Sequence, residues 1–313
     1  MTTTVLRTAD HWWVEHPGTG RAAEVATSAY TTAELLADRV AVDSAAHATT
    51  TVDVAGLDLL SPVTAPCRVV AQMVNYRSHA KDSGFDPDTV PPTFFRKASG
   101  SITGPEATVV RPAHVSLLDY EVELGLVIGE RLPLGTAVTE ASLRRYVAGL
   151  VVADDVSARD VQLTKGQFYE SKSYPTFTPV GPRLVLLSDN EITHLERLRL
   201  RLWVNDVLRQ DRTVADMIVP PARALTLLAR FQELAPGDLL LTGTPGGTAL
   251  KAPPKPVELL AGLLPPAVKW KLFLKTQAKN PDYLQHGDLV TASITTDNGV
   301  LDLGTQRTAV EHL

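Results

Sequence analysis

The chain has 313 residues, 44% of them apolar and 21% charged, with a formal net charge of −5. That is ordinary for a globular protein built as one large domain or a large domain with a small companion. The negative balance gives no basic field for nucleic acid, the single cysteine, Cys67, excludes an intramolecular disulfide or a cysteine metal cluster, and no apolar run reaches the ~18 residues needed to span a bilayer.

In chain order, the opening MTTTVLRTADHWW lacks the apolar core of a secretory signal, and a cytoplasmic protein with no nucleic-acid or membrane partner is expected. Residues 1–66 carry short alternating stretches such as Thr51-Val52-Asp53-Val54, consistent with a small β-containing N-terminal domain. Leu60 to Pro66 reads as a linker, because its prolines suit neither helix nor sheet. A buried strand follows from Arg68 to Val74. Asp119 to Ile128 reads as a strand rich in aliphatic and β-branched residues. Thr139 to Arg145 reads as a short helix with an N-cap, and Leu150 onward as a buried strand ending in Asp154 and Asp155. Asn205-Asp206 predicts a two-residue hairpin turn, Pro220-Pro221 the start of a helix over Ala222 to Glu233, and Pro236-Gly237-Asp238 a turn into the strand Leu239 to Leu241. The proline-rich stretch 251–285 interrupts the strands. A long excursion of this kind serves as a lid, a binding loop or an oligomer contact, or is a surface elaboration without a catalytic role.

Three places carry candidate chemistry. On a strand, Glu121 and Glu123 point to one face while Val122, Leu124 and Leu126 point to the other. Two adjacent carboxylates on an apolar strand repel each other and lose solvation unless a cation lies between them, and a hard divalent ion meets that need. Such a pair taken alone often simply faces water. Asp154 and Asp155 close the next strand, where either can cap a helix starting near Ser157 or bind a metal. His79 and Asp82 lie three apart, so on a helix they share a face, and a carboxylate bonded to imidazole fixes its tautomer and strengthens it as a base.

The ordered motifs NYRSHAKD, DYEVELGLVIG, DDVSARDVQ, SKSYPTFTPVGP and PGDLLLTGTPGG, with the closing strands of residues 286–307, resemble the fumarylacetoacetate hydrolase family over about three quarters of the chain. The resemblance implies a mixed α+β, mostly β fold, a β-sandwich roll over residues 67–313 behind the small N-terminal domain, and a homodimer. It implies Mg²⁺, or Mn²⁺ or Ca²⁺ in its place, on Glu121, Glu123 and Asp155, with Asp154 at a position where the family often has asparagine. It further implies His79 and Asp82 as a water-activating dyad and Lys172 as the cation that stabilises an oxyanion. Tyr76, Arg159, Gln162, Gly243 and Thr244 match positions around the substrate, with the Thr244 hydroxyl and nearby amides holding a substrate carboxylate. Two departures stand out: Asp82 replaces the family's usual glutamate and is one methylene shorter, and the 251–285 insertion is longer than the usual connection.

The function the resemblance implies is Mg²⁺-dependent hydrolysis of a carbon–carbon bond in a 2,4-dioxo acid of the acylpyruvate or fumarylpyruvate type, as in aromatic catabolism. Relatives on the scaffold decarboxylate oxaloacetate-like acids or isomerise and hydrate unsaturated 2-oxo acids, reactions that need no dyad-activated water. A non-catalytic metal- or ligand-binding protein is the third possibility, disfavoured by the presence of both a base and an oxyanion donor.

Overall fold

The computed structural model describes residues 2–253 and 265–313. Among the described residues two large sheets set the architecture. The larger has ten strands, ordered Val52–Asp53, Arg21–Glu24, Trp12–His16, Thr3–Arg7, Leu184–Leu186, Val147–Asp154, Val122–Ile128, Leu239–Leu241, Val69–Met73 and Thr93–Lys97. Its ladders are antiparallel except where Leu239–Leu241 runs parallel to Val69–Met73. The smaller has five strands, ordered Val207–Thr213, Leu198–Val204, Leu289–Thr296, Asp302–His312 and Val109–Arg111.

The sheets share a core. Val122, Leu124, Leu126, Ile128, Leu150 and Val152 of the larger sheet pack with Leu198, Leu200, Leu202, Val290 and Ile294 of the smaller. The opposite face of the larger sheet carries Val127, Val151, Ala153, Val69 and Leu239, and the helices Thr32–Ala37 and Arg39–Ala45 cover it with Leu35, Val42 and Ala45. Val122–Ile128 is therefore buried at every position, whereas Leu198–Val204 alternates buried and half-buried residues, as a strand with one covered face must. The mostly-β, mixed fold expected from the motifs is the fold observed.

Local expectations met the structure unevenly. Asn205 and Asp206 sit at φ 49° and 64°, with Val204 paired to Val207, as a two-residue type I′ hairpin turn demands. The helix after Pro220 spans Pro221–Leu228, shorter than the apolar pattern suggested. Thr139 does cap, accepting from the Ser142 N–H at 3.3 Å, but over a 3₁₀ turn that leads into the short helix Leu143–Tyr146. The first 66 residues add four strands to the edge of the ten-stranded sheet, joined through Thr3–Arg7 to Leu184–Leu186, as well as the two covering helices. Within the 251–285 insertion, residues 254–264 lie outside the described residues. The remainder holds the helix Pro266–Gln277 and the buried Tyr283, and the Leu284 N–H donates to the Leu118 carbonyl at 2.9 Å, anchoring the segment beside the acidic strand. No described helix is long and apolar enough to cross a membrane.

Candidate metal centre and substrate cavity

The expected strand from Asp119 to Ile128 is broken, and the break builds the site. Leu118–Asp119 pairs with Ser157–Ala158, and Val122–Ile128 pairs with Val147–Asp154; Tyr120 and Glu121 leave the ladder between them. Asp154 bridges the gap, its Oδ1 accepting the Glu121 N–H at 2.7 Å, and the Asp155 N–H donates to the Glu121 carbonyl at 2.9 Å. Neither aspartate caps a helix: Arg159–Lys165 begins after Ala158 with no side-chain cap. Asp154 instead fixes the chain path at the break. Its Oδ2 is buried without a partner, and burial pushes its carboxyl up to about 7.

Glu121, Glu123 and Asp155 converge. Each offers one carboxylate oxygen, and these atoms all lie within 4.8 Å of one another, with all three residues buried. Such a set of hard oxygen donors fits a divalent cation. The surrounding charges are arranged around it. Lys172 donates to both Glu121 and Asp155, while Lys97, also fully buried, donates to the other oxygen of Asp155 and to the Phe177 carbonyl at 2.8 Å. Arg159 donates to Glu121, to Asp119 at 2.8 Å and to Gln162 Oε1 at 2.9 Å. Burial acts to raise Glu121, but Arg159 and Lys172 more than offset it and hold the carboxyl well below its ordinary range. Glu123 has no such cation in contact. Burial, and then the charges of Asp155 and Glu121, push it well up, with only the Gly243 N–H at 2.8 Å and the more distant Lys172 opposing. Three carboxylates facing two ammoniums leave one negative charge, which a divalent cation would turn into one positive charge, a field suited to a substrate carboxylate.

Both glutamates line a cavity of about 600 Å³ together with His79, Arg159, Gln162, Lys172 and Thr244. These predicted residues are brought together. Gly243 stands behind them at φ +81°, where a Cβ would lie 2.7 Å from the Asn75 Cβ, and its N–H serves Glu123 and not a ligand. Three expected residues are engaged differently. Tyr76 is wholly buried, near Glu123, and is not among the residues that line the cavity. The Thr244 hydroxyl donates to the Val122 carbonyl at 2.9 Å and accepts from Gln210 at 2.8 Å, which commits it to the scaffold. His79 and Asp82 sit on the helix Arg77–Asp82 as expected but do not bond: Asp82 Oδ2 accepts the Gly247 N–H at 2.9 Å, and His79 Nδ1 has no partner.

Four participants escaped the sequence reading. Lys97 ends the strand Thr93–Lys97, and its only signal was a lysine closing the aromatic run Phe94-Phe95. Asp119 clamps Arg159 and accepts the Ala249 N–H at 2.8 Å. Gln210 takes the Val122 N–H at 3.0 Å. Gln72 lines the cavity with a buried, unpartnered Oε1. Gln72 and His79, which carry two of the buried unpartnered polar atoms, both line this one cavity.

Comparison with known proteins agrees with this architecture. Residues 68–311 match the family model described as fumarylacetoacetate (FAA) hydrolase, C-terminal. The chain is 36% identical over 206 residues to the mitochondrial oxaloacetate tautomerase Fahd2a of Rattus norvegicus, covering 65% of this chain and 63% of that protein, so it spans somewhat under two thirds of that relative's length. It is 37% identical over 218 residues to a 2,4-didehydro-3-deoxy-L-rhamnonate hydrolase of Sphingomonas sp. (strain SKA58), covering 67% of this chain and 74% of that protein. The solved structure of a fumarylacetoacetate hydrolase from Exiguobacterium antarcticum superposes with a TM-score of 0.74 at 25% identity, covering all of both chains. The chain belongs to the fumarylacetoacetate hydrolase family.

Proposed function

We propose that this protein is a Mg²⁺-dependent enzyme that moves protons on an enolisable 2-oxo acid, a tautomerase or isomerase in its chemistry. A divalent cation held by Glu121, Glu123 and Asp155 would supply Lewis acidity toward a 2-oxo carboxylate, acidifying the hydrogens at C3. His79 would take that proton and return it at the other end of the enolate. Lys172 has two of its three N–H groups on Glu121 and Asp155, which leaves one for the developing negative charge. Gln162, held by Arg159 beside the carboxylates, would orient the substrate.

The observation that carries this reading is the state of His79. It is 9% exposed, lines the cavity, and has no carboxylate behind it. Burial holds its pKa below 6.5, and Arg159 and Lys172 push the same way against the opposing Glu121. A lowered pKa keeps the imidazole neutral, and so competent as a base, at pH values where an ordinary histidine is charged. The acid limb of kcat/KM is therefore expected to have its midpoint below 6.5. A midpoint at 7 or above, lost in His79→Ala, would show a different base environment.

Hydrolysis of an acylpyruvate is the second reading, favoured by the position of Asp82 one helical turn from His79 on Arg77–Asp82. Asp82→Asn separates the two, because asparagine can still accept the Gly247 N–H while losing the charge that would orient a base. Proton transfer on an enolisable 2-oxo acid, followed by ultraviolet absorbance of the enol, is expected to stay within about tenfold of the parent protein. Loss of ~10²–10⁴-fold, the usual worth of a positioned acid–base group, together with pyruvate release from acylpyruvates by the parent protein, would favour the hydrolase.

A further inference from the structure

The rest of the cavity lining is rich in aromatic residues. Of the seven phenylalanines in the chain, four, Phe85, Phe95, Phe168 and Phe273, line this one cavity. Phe85 is 53% exposed and Phe168 and Phe273 are partly exposed, so the folded core does not account for the placement of these three, whereas Phe95 also packs against the core. Phe95 and Phe168 meet edge to face with centroids 5.2 Å apart, and the Lys172 ammonium lies 5.2 Å from the Phe95 ring centre. The aromatic wall therefore begins directly beside the polar end. Phe273 comes from the helix Pro266–Gln277 of the insertion, and Leu163 adds to the same lining.

The cations of the lining are distributed unevenly. Arg159 and Lys172 are both taken up at the carboxylate end. Lys251 is the remaining one among the described lining residues, and it is exposed to solvent, where an ion pair contributes little. A second carboxylate at the far end of a substrate would give up its hydration to aromatic rings without a buried cationic partner among the described residues. An aryl or alkyl group would instead cover the exposed ring faces. We propose that the cavity selects 2-oxo acids whose end remote from the carboxylate is uncharged and apolar, an aryl or alkyl tail, in preference to dicarboxylates.

This inference rests on the oxo-acid reading above, and a binding measurement keeps the two apart because it needs no turnover. The Mg²⁺-loaded protein is titrated calorimetrically with 2-oxo-4-phenylbutanoate and with 2-oxohexanedioate. The aryl acid is expected to bind at least about tenfold tighter, the scale at which a hydrophobic pocket discriminates a missing apolar group. Phe273→Ala, and independently the exposed Phe85→Ala, should erode that advantage several-fold and leave the diacid unchanged. Lys251→Ala should alter neither ligand. Equal or tighter binding of the diacid, or diacid binding that depends on Lys251, overturns the selectivity while sparing the oxo-acid reading. Failure of both acids to bind although Mg²⁺ itself binds overturns the oxo-acid reading, and the selectivity falls with it.

Discussion

Glu123→Gln is expected to abolish divalent-metal binding and to lower turnover on the order of a thousandfold, because Lewis acidity supplies several kcal/mol of charge stabilisation and each ~1.4 kcal/mol is tenfold in rate. Glu123 is the sharper test among the three carboxylates. Glu121 pairs with both Arg159 and Lys172, and Asp155 with both lysines, so removing either strands buried cations and confounds binding with folding. Glu123 contacts only the Gly243 N–H among these groups, and a glutamine oxygen can still accept that bond. The sign of the stability change is a second check. Burial together with Asp155 and Glu121 disfavours the charged form of Glu123 when no cation is bound. The variant in EDTA should therefore melt at or above the temperature of the parent, even as calorimetric Mg²⁺ or Mn²⁺ binding disappears. Unchanged metal affinity in Glu123→Gln would remove the metal centre from this place.

What could be read from the chain and what could not divide along a physical line. Glu123 was legible because strand periodicity puts it on the face opposite Val122 and Leu124, whereas Glu121 sits one residue before that strand, in the break, and Asp155 was separable from Asp154 only through the family resemblance. The partners that tune them come from far away. Lys97 reaches Asp155 across 58 residues, and only the register of the ten-stranded sheet delivers it. A lysine at the end of an aromatic strand reads locally as a solvated terminus. Asp82 shows the opposite failure: its spacing from His79 was right for a shared helical face, but the Gly247 N–H, 165 residues away, takes the carboxylate first. Local periodicity decides which groups can meet, and non-local backbone donors decide which of them do. The insertion is similar. Its proline content marked it as an excursion, but the placement of Lys251, Ala252, Pro253 and Phe273 on the cavity is what ties it to the site.

Lys97 supplies the other large effect. Its ammonium and the Asp155 carboxylate are both completely enclosed, and it holds the Phe177 carbonyl as well. Breaking a buried pair by removing one partner costs roughly 3–5 kcal/mol. Lys97→Met should fall near the lower end, about 3 kcal/mol, since Lys172 still touches Asp155. Unlike Lys172, Lys97 does not line the cavity, so this loss belongs to the scaffold and not to contact with a substrate. The two lysines occupy both oxygens of Asp155, and a divalent cation must share that carboxylate with them. Removing Lys97 frees one oxygen and lowers the local positive charge, so the variant should bind Mg²⁺ more tightly than the parent. Ligand linkage then makes stability depend on metal: at a hundred times Kd the folded state gains about 2.7 kcal/mol. Urea unfolding in EDTA should show the full deficit for Lys97→Met, and Mg²⁺ at a fixed concentration should recover more stability in the variant than in the parent. Equal recovery in both proteins would mean that Lys97 and the metal do not compete for Asp155, and no deficit in EDTA would mean that the buried pair contributes nothing to the fold.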